Sequence, residues 1–262
     1  MRSPFEFTSI LAREVGGMLS QTFDLHGTRA KQKADHSVVT AADLAADRLI
    51  STAIETEFPE DAILSEELHT SLAQPTRATW VCDPLDGTTN FSLGLQFWGV
   101  SIARLVEGQP DTAAIYFPML EELYSAQRGQ GAFFNGERLA AGHPADSWPS
   151  SFFSCCSRTH RRYRVEVRYK TRILGAASYT FCAVARGVAI LGFEATPKIW
   201  DIAAGWLILE EAGGVVDTFD GSKPFPLLPG KEYAGQDYPT MAAANSTILA
   251  KAREQITPRS DA

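Results

Sequence analysis

Asp83-Pro84-Leu85-Asp86-Gly87-Thr88-Thr89-Asn90-Phe91 sets two carboxylates three residues apart and follows them at once with a glycine and two hydroxyls. The residues before it, Ala78 to Cys82, read as an apolar strand with one polar member. The combination suits a hard cation and a phosphate. Carboxylate and carbonyl oxygens are what Mg²⁺ takes as ligands, and a tight turn into a helix offers backbone N–H groups to an anion. Asp83 and Asp86 can share one cation while facing another. Pro84 stiffens the turn, the Leu85 carbonyl is a neutral ligand between the acids, and Gly87 lets the backbone approach. The Gly87 and Thr88 N–H groups are placed to hold phosphate oxygens.

Working outward, further acids stand where predicted elements end or begin. Glu66 and Glu67 close a short apolar segment, Ala62 to Ser65, and Asp201 opens a predicted helix that runs to Ala212. In layered folds such positions gather functional groups. Thr40-Ala41-Ala42-Asp43 is patterned as a capping box with Asp in place of Glu, heading a helix that stops before Pro59. Alone, Asp43 reads as a cap, Glu66-Glu67 as a solvated strand end, Asp201 as a first-turn acid and Glu194 as an acid after a strand. With Asp83–Phe91 they suggest a catalyst for a phosphate monoester, in which two or more Mg²⁺ ions stabilise charge and activate a water. Thr88 would position that water, and Asp43 would accept its proton.

The remaining pattern gives an α+β reading. Pro4 to Phe23 has helical spacing at Phe7, Ile10, Leu11, Val15, Met18 and Leu19. A loop with Lys31, Lys33 and Asp35 follows. Strands are expected at Val100–Leu105, Thr112–Phe117 and Leu123–Ala126, with a hairpin turn at Asn135-Gly136. Residues 142–150 read as a linker between an N-terminal half, 1–141, carrying most of the acids, and a C-terminal half, 142–262, carrying Asp201. In the second half a helix near Ser178–Arg186, a strand at Val188–Phe193, the Asp201 helix ended by Gly213-Gly214 and a strand at Val215–Thr218 are expected. After a loop over 221–239 come a strand at Met241–Ala244 and a final helix capped by Ser246.

With 262 residues, 45% hydrophobic and 21% charged, the chain can build a sizeable core. Its net charge of −7 disfavours wholesale nucleic-acid binding. Cys82, Cys155, Cys156 and Cys182 form no CxxC pair, so buried free thiols are expected rather than a zinc site or disulfides. Neither a secretory leader nor a run of apolar residues long enough for a membrane span is visible, and the cytoplasm is the expected compartment.

The chain resembles the inositol monophosphatase family of Mg²⁺-dependent, lithium-sensitive phosphatases. The resemblance rests on Leu64-Ser65-Glu66-Glu67, Asp83–Phe91, Gly129-Gln130-Gly131-Ala132-Phe133-Phe134-Asn135-Gly136, Arg172-Ile173-Leu174-Gly175-Ala176-Ala177, and Trp200-Asp201-Ile202-Ala203-Ala204-Gly205 continuing to Glu210-Glu211-Ala212-Gly213-Gly214. It implies a five-layer αβαβα sandwich, often dimeric. It implies two or three Mg²⁺ ions ligated by Glu66, Asp83, the Leu85 carbonyl, Asp86 and Asp201, with Glu67 behind them or on a weaker metal. Thr88, backed by Asp43, would orient the attacking water, and Glu66 would take part in activating it. Asp86, Gly87, Thr88 and Asp201 would contact the phosphate end of the substrate. Gly175, Ala176 and Glu194 would line the place of its hydroxylated part, and Lys33 would touch a water of the weakest metal.

Two departures bear on the substrate. The family often has Ser or Thr at the position of Ala176, so only backbone contact is expected there. Between the linker and Arg172 the family fits a fuller helix, whereas this chain has a basic run, Arg158 to Lys170, with Glu166 its only acid. That run reads as a solvated or dimer-facing surface, or as a second anionic contact to a distal phosphate or an RNA. The segment Lys33 to Asp43 resembles the related 3′-phosphoadenosine 5′-phosphate phosphatases, but Thr89-Asn90 does not. Histidinol phosphate and fructose 1,6-bisphosphate are substrates of other relatives. The leading expectation is hydrolysis of inositol 1-phosphate or a similar polyol phosphate. A regulatory protein that binds RNA or protein is the rival from another class, and the intact set of acids argues against it.

Overall fold

Ser3 starts the first helix, Pro4–Thr22, with a capping box: its hydroxyl accepts from the Glu6 N–H and the Glu6 carboxylate reaches back to Ser3. Phe7, Leu11, Val15 and Leu19 form the buried face of that helix, while Ile10 stays exposed. The helix Ala41–Glu57 begins with the expected box, Thr40 and Asp43 serving one another, and it ends before Pro59. This computed structural model describes residues 2–32, 38–72, 76–141 and 151–259. The predicted linker, 142–150, and the loop residues Lys33 and Asp35 lie outside the described residues.

Seven strands follow in spatial order as in the chain: Ala62–Ser65, Ala78–Asp86, Gly99–Val106, Gln109–Phe117, Glu122–Gln127, Gly131–Phe134 and Glu137–Leu139. The first pair is parallel and the rest are antiparallel. The Ala78–Asp86 strand is longer than the sequence suggests, and all nine of its residues are buried. Its ladder with Gly99–Val106 is regular to Asp83, breaks across Pro84 and resumes at Asp86. Proline has no N–H to give the ladder, so the break falls where the chemistry predicts. Asn135 and Gly136 both take positive φ, as a tight hairpin turn requires.

The second sheet has the order Lys170–Arg172, Phe152–Cys155, Ala189–Glu194, Thr240–Ala243, Val215–Thr218; its first two pairings are parallel and its last two antiparallel. The helices Ala177–Ala185 and Ile199–Glu211 pack together between the two sheets. Pro4–Thr22 and Ala41–Glu57 cover the outer face of the first sheet, and Ser246–Gln255 covers the outer face of the second. The result is the expected five-layer αβαβα sandwich, with one apolar cluster at each of the outer boundaries and a larger one around the central helices.

Two local expectations are corrected, and the basic run takes a form of its own. The last helix is capped by Asn245, whose Oδ1 accepts from the Ile248 N–H at 2.9 Å, and Ser246 is its first residue. Asp201 is the third residue of its helix rather than the first, and its carboxylate accepts from the Lys198 N–H at 2.8 Å. Within the basic run only one helical turn forms, Thr159–Arg162; Tyr163–Val165 then pairs with Ile256–Pro258. The run's side chains are partly matched, Arg162 with Asp237 and Arg164 with Glu166. All four cysteines are free, and burial pushes the Cys155 thiol up to about 12.

The Gly129 and Glu210-Glu211 segments meet in space. The Glu211 carboxylate accepts from the Gly129 N–H at 2.7 Å and the Gly131 N–H at 2.8 Å, tying a hairpin of the first sheet to a central helix. Glu211→Ala leaves two backbone donors without their anionic acceptor. It is expected to cost about 2 kcal/mol, read as a lower midpoint in urea at unchanged slope.

Candidate active site

Glu66, Asp83, Asp86, Glu194 and Asp201 line one cleft of about 460 Å³, while Asp43 stands behind Thr88 and Glu67 does not line it. Glu66, Asp83, Leu85, Asp86, Gly87, Thr88 and Asp201 form one part of its wall, and Gly175, Ala176, Glu194 and Arg158 contribute to the rest. Asp83 is 1% exposed and Asp86 6%. Asp83 Oδ1 accepts from the Leu85 N–H at 3.0 Å, which folds the turn back on its first acid. Asp86 is gripped from the other side of the molecule: Oδ1 accepts from the Ala177 N–H at 3.0 Å, and Oδ2 accepts from the Ser178 N–H at 2.7 Å and from the Ser178 hydroxyl. These donors are the first turn of the Ala177–Ala185 helix, whose positive end suits a carboxylate.

The crowding shows in the acidities. Burial, then the charges of Glu66, Asp86 and Asp201, hold the Asp83 carboxyl well above the usual carboxylate range. Burial, then Glu66 and Asp86, does the same to Asp201, which also shares a hydrogen bond with Asp83. Asp86 is raised less decisively, because Ser178 and Ala177 oppose its burial. Among the described residues no three such side chains already converge at metal-bonding geometry. Hard anionic oxygens that repel one another around a cleft are nonetheless a donor set that fits Mg²⁺. A cation there would offset the mutual repulsion that, with burial, raises Asp83 and Asp201.

Gly87 has φ +91, and a side chain there would drive a Cβ to 2.8 Å from the Phe97 carbonyl oxygen. It caps the short helix Thr88–Ser92. The Thr88 hydroxyl lies 2.9 Å from Asp43 Oδ1 and 3.0 Å from the Leu85 carbonyl oxygen. Asp43 Oδ2 meanwhile accepts from the Thr40 N–H at 2.8 Å, so it both caps its helix and holds Thr88. Burial pushes the Asp43 carboxyl up, against the pull of these hydrogen bonds.

On the opposite wall Gly175 has φ +81 and sits against the Asn90 amide, where a Cβ would lie 2.8 Å from that side chain. The Asn90 amide donates to the Phe97 carbonyl at 2.6 Å and the Leu174 carbonyl at 2.7 Å. Glu194 is 4% exposed; Thr180 donates to its Oε1 at 2.7 Å, and burial holds its carboxyl well above the ordinary range. Ala176 lines the cleft without a hydroxyl, as expected, and ends up as the N-cap of the next helix. Glu67 gives its N–H to Asp47 at 3.2 Å.

The sequence does not place three side chains at or behind the cleft where the structure has them: Ser178, Asn90 and Arg158. Arg158 Nη1 donates to the Thr196 hydroxyl at 3.1 Å, both residues lining the cleft. Nothing local marks Ser178, whose partner Asp86 is 92 residues away, and nothing in the motif that contains Asn90 announces its bond to the Leu174 carbonyl 84 residues on.

Comparison with known proteins identifies the family. The model of the inositol monophosphatase family matches residues 3–257. The chain is 32% identical to the Nus factor SuhB of Escherichia coli over 257 residues, 94% of each chain. It is 32% identical to a fructose-1,6-bisphosphatase/inositol-1-monophosphatase of Thermotoga maritima over 225 residues, 83% of this chain and 86% of the relative. The solved structure of a Thermotoga maritima IMPase superposes with a TM-score of 0.76 at 28% identity, covering 95% of this chain and 94% of the other. The chain belongs to the inositol monophosphatase family.

Proposed function

We propose that the protein is a Mg²⁺-dependent phosphomonoesterase that hydrolyses inositol 1-phosphate or a similar small polyol phosphate. The observation that carries the reading is the cleft itself: four carboxylates and the Leu85 carbonyl on one wall, with the Thr88–Asp43 pair beside them. Glu66, Asp83, the Leu85 carbonyl, Asp86 and Asp201 would hold two or three Mg²⁺ ions. Bound there, Mg²⁺ supplies charge stabilisation to the leaving oxygen and lowers the pKa of a water. The Gly87 and Thr88 N–H groups bind phosphate oxygens. Thr88 has one O–H; donating it to Asp43 leaves lone pairs free to accept from the attacking water and so orient it. Asp43, less acidic than an exposed carboxyl, is suited to take the proton. Gly175, Ala176 and Glu194 receive the hydroxylated part of the substrate.

Thr88→Ala is expected to lower kcat about a hundredfold with KM changed less than threefold, in steady-state phosphate release. The reading includes a homodimer, which sedimentation would reveal as twice the chain mass.

A second substrate class, sugar bisphosphates or nucleotides with an additional phosphate, is favoured by Arg158, a cation on the same cleft. Phosphate release over inositol 1-phosphate, fructose 1,6-bisphosphate, 3′-phosphoadenosine 5′-phosphate and histidinol phosphate, with and without Mg²⁺ and Li⁺, separates them, because discrimination resides in kcat/KM. The highest ratio for inositol 1-phosphate, Mg²⁺-dependent and Li⁺-inhibited, is the expected result. No release from any of them, together with salt-sensitive RNA binding lost in Arg161→Ala/Arg162→Ala, would replace the enzyme with a binding protein.

A further inference from the structure

Asp47 is a fully buried carboxylate that the chemistry above does not use. It stands one turn after Asp43 on the Ala41–Glu57 helix, so the two acids share a face. Asp43 holds Thr88. Asp47 holds the turn that carries Glu66: its Oδ2 accepts from the Ser65 hydroxyl at 2.8 Å, the Glu67 N–H at 3.2 Å and the Leu68 N–H at 3.1 Å. Its Oδ1 lies 3.0 Å from the same Ser65 hydroxyl and 3.2 Å from that of Ser51. Ser65 in turn accepts from the His69 N–H at 3.2 Å, and Glu66 N–H donates to the Cys82 carbonyl on the Asp83 strand at 3.3 Å.

We infer that Asp47 is a positioning residue for the metal centre, acting through Glu66. Two carboxylates spaced by one helical turn make this helix the common gauge of both loops that face the cleft. One fixes the nucleophile-orienting hydroxyl; the other fixes the turn that carries Glu66. The inference rests on the reading of Glu66 as such a ligand. Groups that orient metal ligands from behind change metal affinity about 10- to 100-fold when removed.

The test is calorimetric titration of the full-length chain with Mn²⁺ and Mg²⁺, alongside the Mg²⁺ half-saturation of phosphate release, at a temperature well below each variant's unfolding. Glu66→Gln serves as the direct control. Asp47→Ala is expected to weaken metal binding about tenfold, with kcat at saturating Mg²⁺ within about threefold of the parent. Asp47→Asn can keep an amide oxygen at the Oδ2 position for the Glu67 and Leu68 N–H groups, and its NH₂ can donate to the two hydroxyls, so it should restore affinity to within about threefold. If Asp47→Ala fails to fold, Ser65→Ala carries the same test with a smaller loss, about threefold. Parental affinity in Asp47→Ala, or in Ser65→Ala where that variant stands in, while Glu66→Gln binds weakly, overturns the inference. An equal loss in Asp47→Asn and Asp47→Ala also overturns it, since charge rather than the clamp would then be at work. Unchanged affinity in Glu66→Gln removes instead the metal role of Glu66 itself.

Discussion

Asp83→Asn is expected to abolish turnover, lowering kcat/KM by about a thousandfold or more at saturating Mg²⁺, while the chain still folds. Asp83 is buried, central to the acids and held by the Leu85 N–H. An amide keeps the acceptor for that N–H but offers a cation a neutral oxygen where an anionic one stood, and charge stabilisation of this kind is worth two to three orders of magnitude per group. The same change removes a charge that Glu66, Asp86 and Asp201 oppose. The metal-free variant should therefore be at least as stable as the parent at neutral pH, and the rise in Tm on adding Mg²⁺ should shrink. Full activity with Mg²⁺ would sink the assignment of this cleft.

Chelation of Mg²⁺ should make stability fall with rising pH. Asp83 and Asp201 have native pKa values well above the ordinary carboxylate range when no metal is bound. Above the unfolded value, the native state thus binds more protons than the unfolded chain. Unfolding free energy then declines as pH climbs from the unfolded carboxylate pKa through the raised native one, and levels beyond it. Mg²⁺ competes with those protons and stabilises by mass action, about 2.7 kcal/mol at a hundredfold excess over Kd. Scanning calorimetry between about pH 5 and pH 8 should show the Tm gap between Mg²⁺-loaded and chelated protein widening as pH rises. A gap that stays constant or narrows would mean that protons and metal do not share these carboxylates.

What the sequence made legible divides by the reach of each interaction. Asp83–Phe91 could be read because its chemistry is local: the two acids, the carbonyl between them and the turn glycine are neighbours in the chain. Thr40 and Asp43 could be read for the same reason, three residues apart. The five layers followed from the family resemblance, and the alternation of elements alone would not have ordered the strands. Ser178 could not be seen, because a serine early in a helix is ordinary until Asp86 arrives beside it. Asp47 looked like one more polar residue on an amphipathic helix until the 65–69 turn folded over it. The final helix start was misplaced by one residue because Asn245 and Ser246 are both good caps, and only the Ile248 N–H selects between them. The basic run was expected on the surface or at a second anion. The structure leaves Arg161 and Arg164 exposed and places Arg158 on the wall of the cleft.

The grip of Ser178 on Asp86 has a consequence for how the protein comes into being. The two residues are separated by 92 positions, and Asp201 emerges from the ribosome later still. A nascent chain that has reached only Leu139 holds all seven strands of the first sheet in sequence but has no Ser178 for Asp86 and no Asp201 for the cleft. If the cleft takes Mg²⁺ as proposed, its loading waits on synthesis of the second half of the chain, which supplies Ser178 and Asp201.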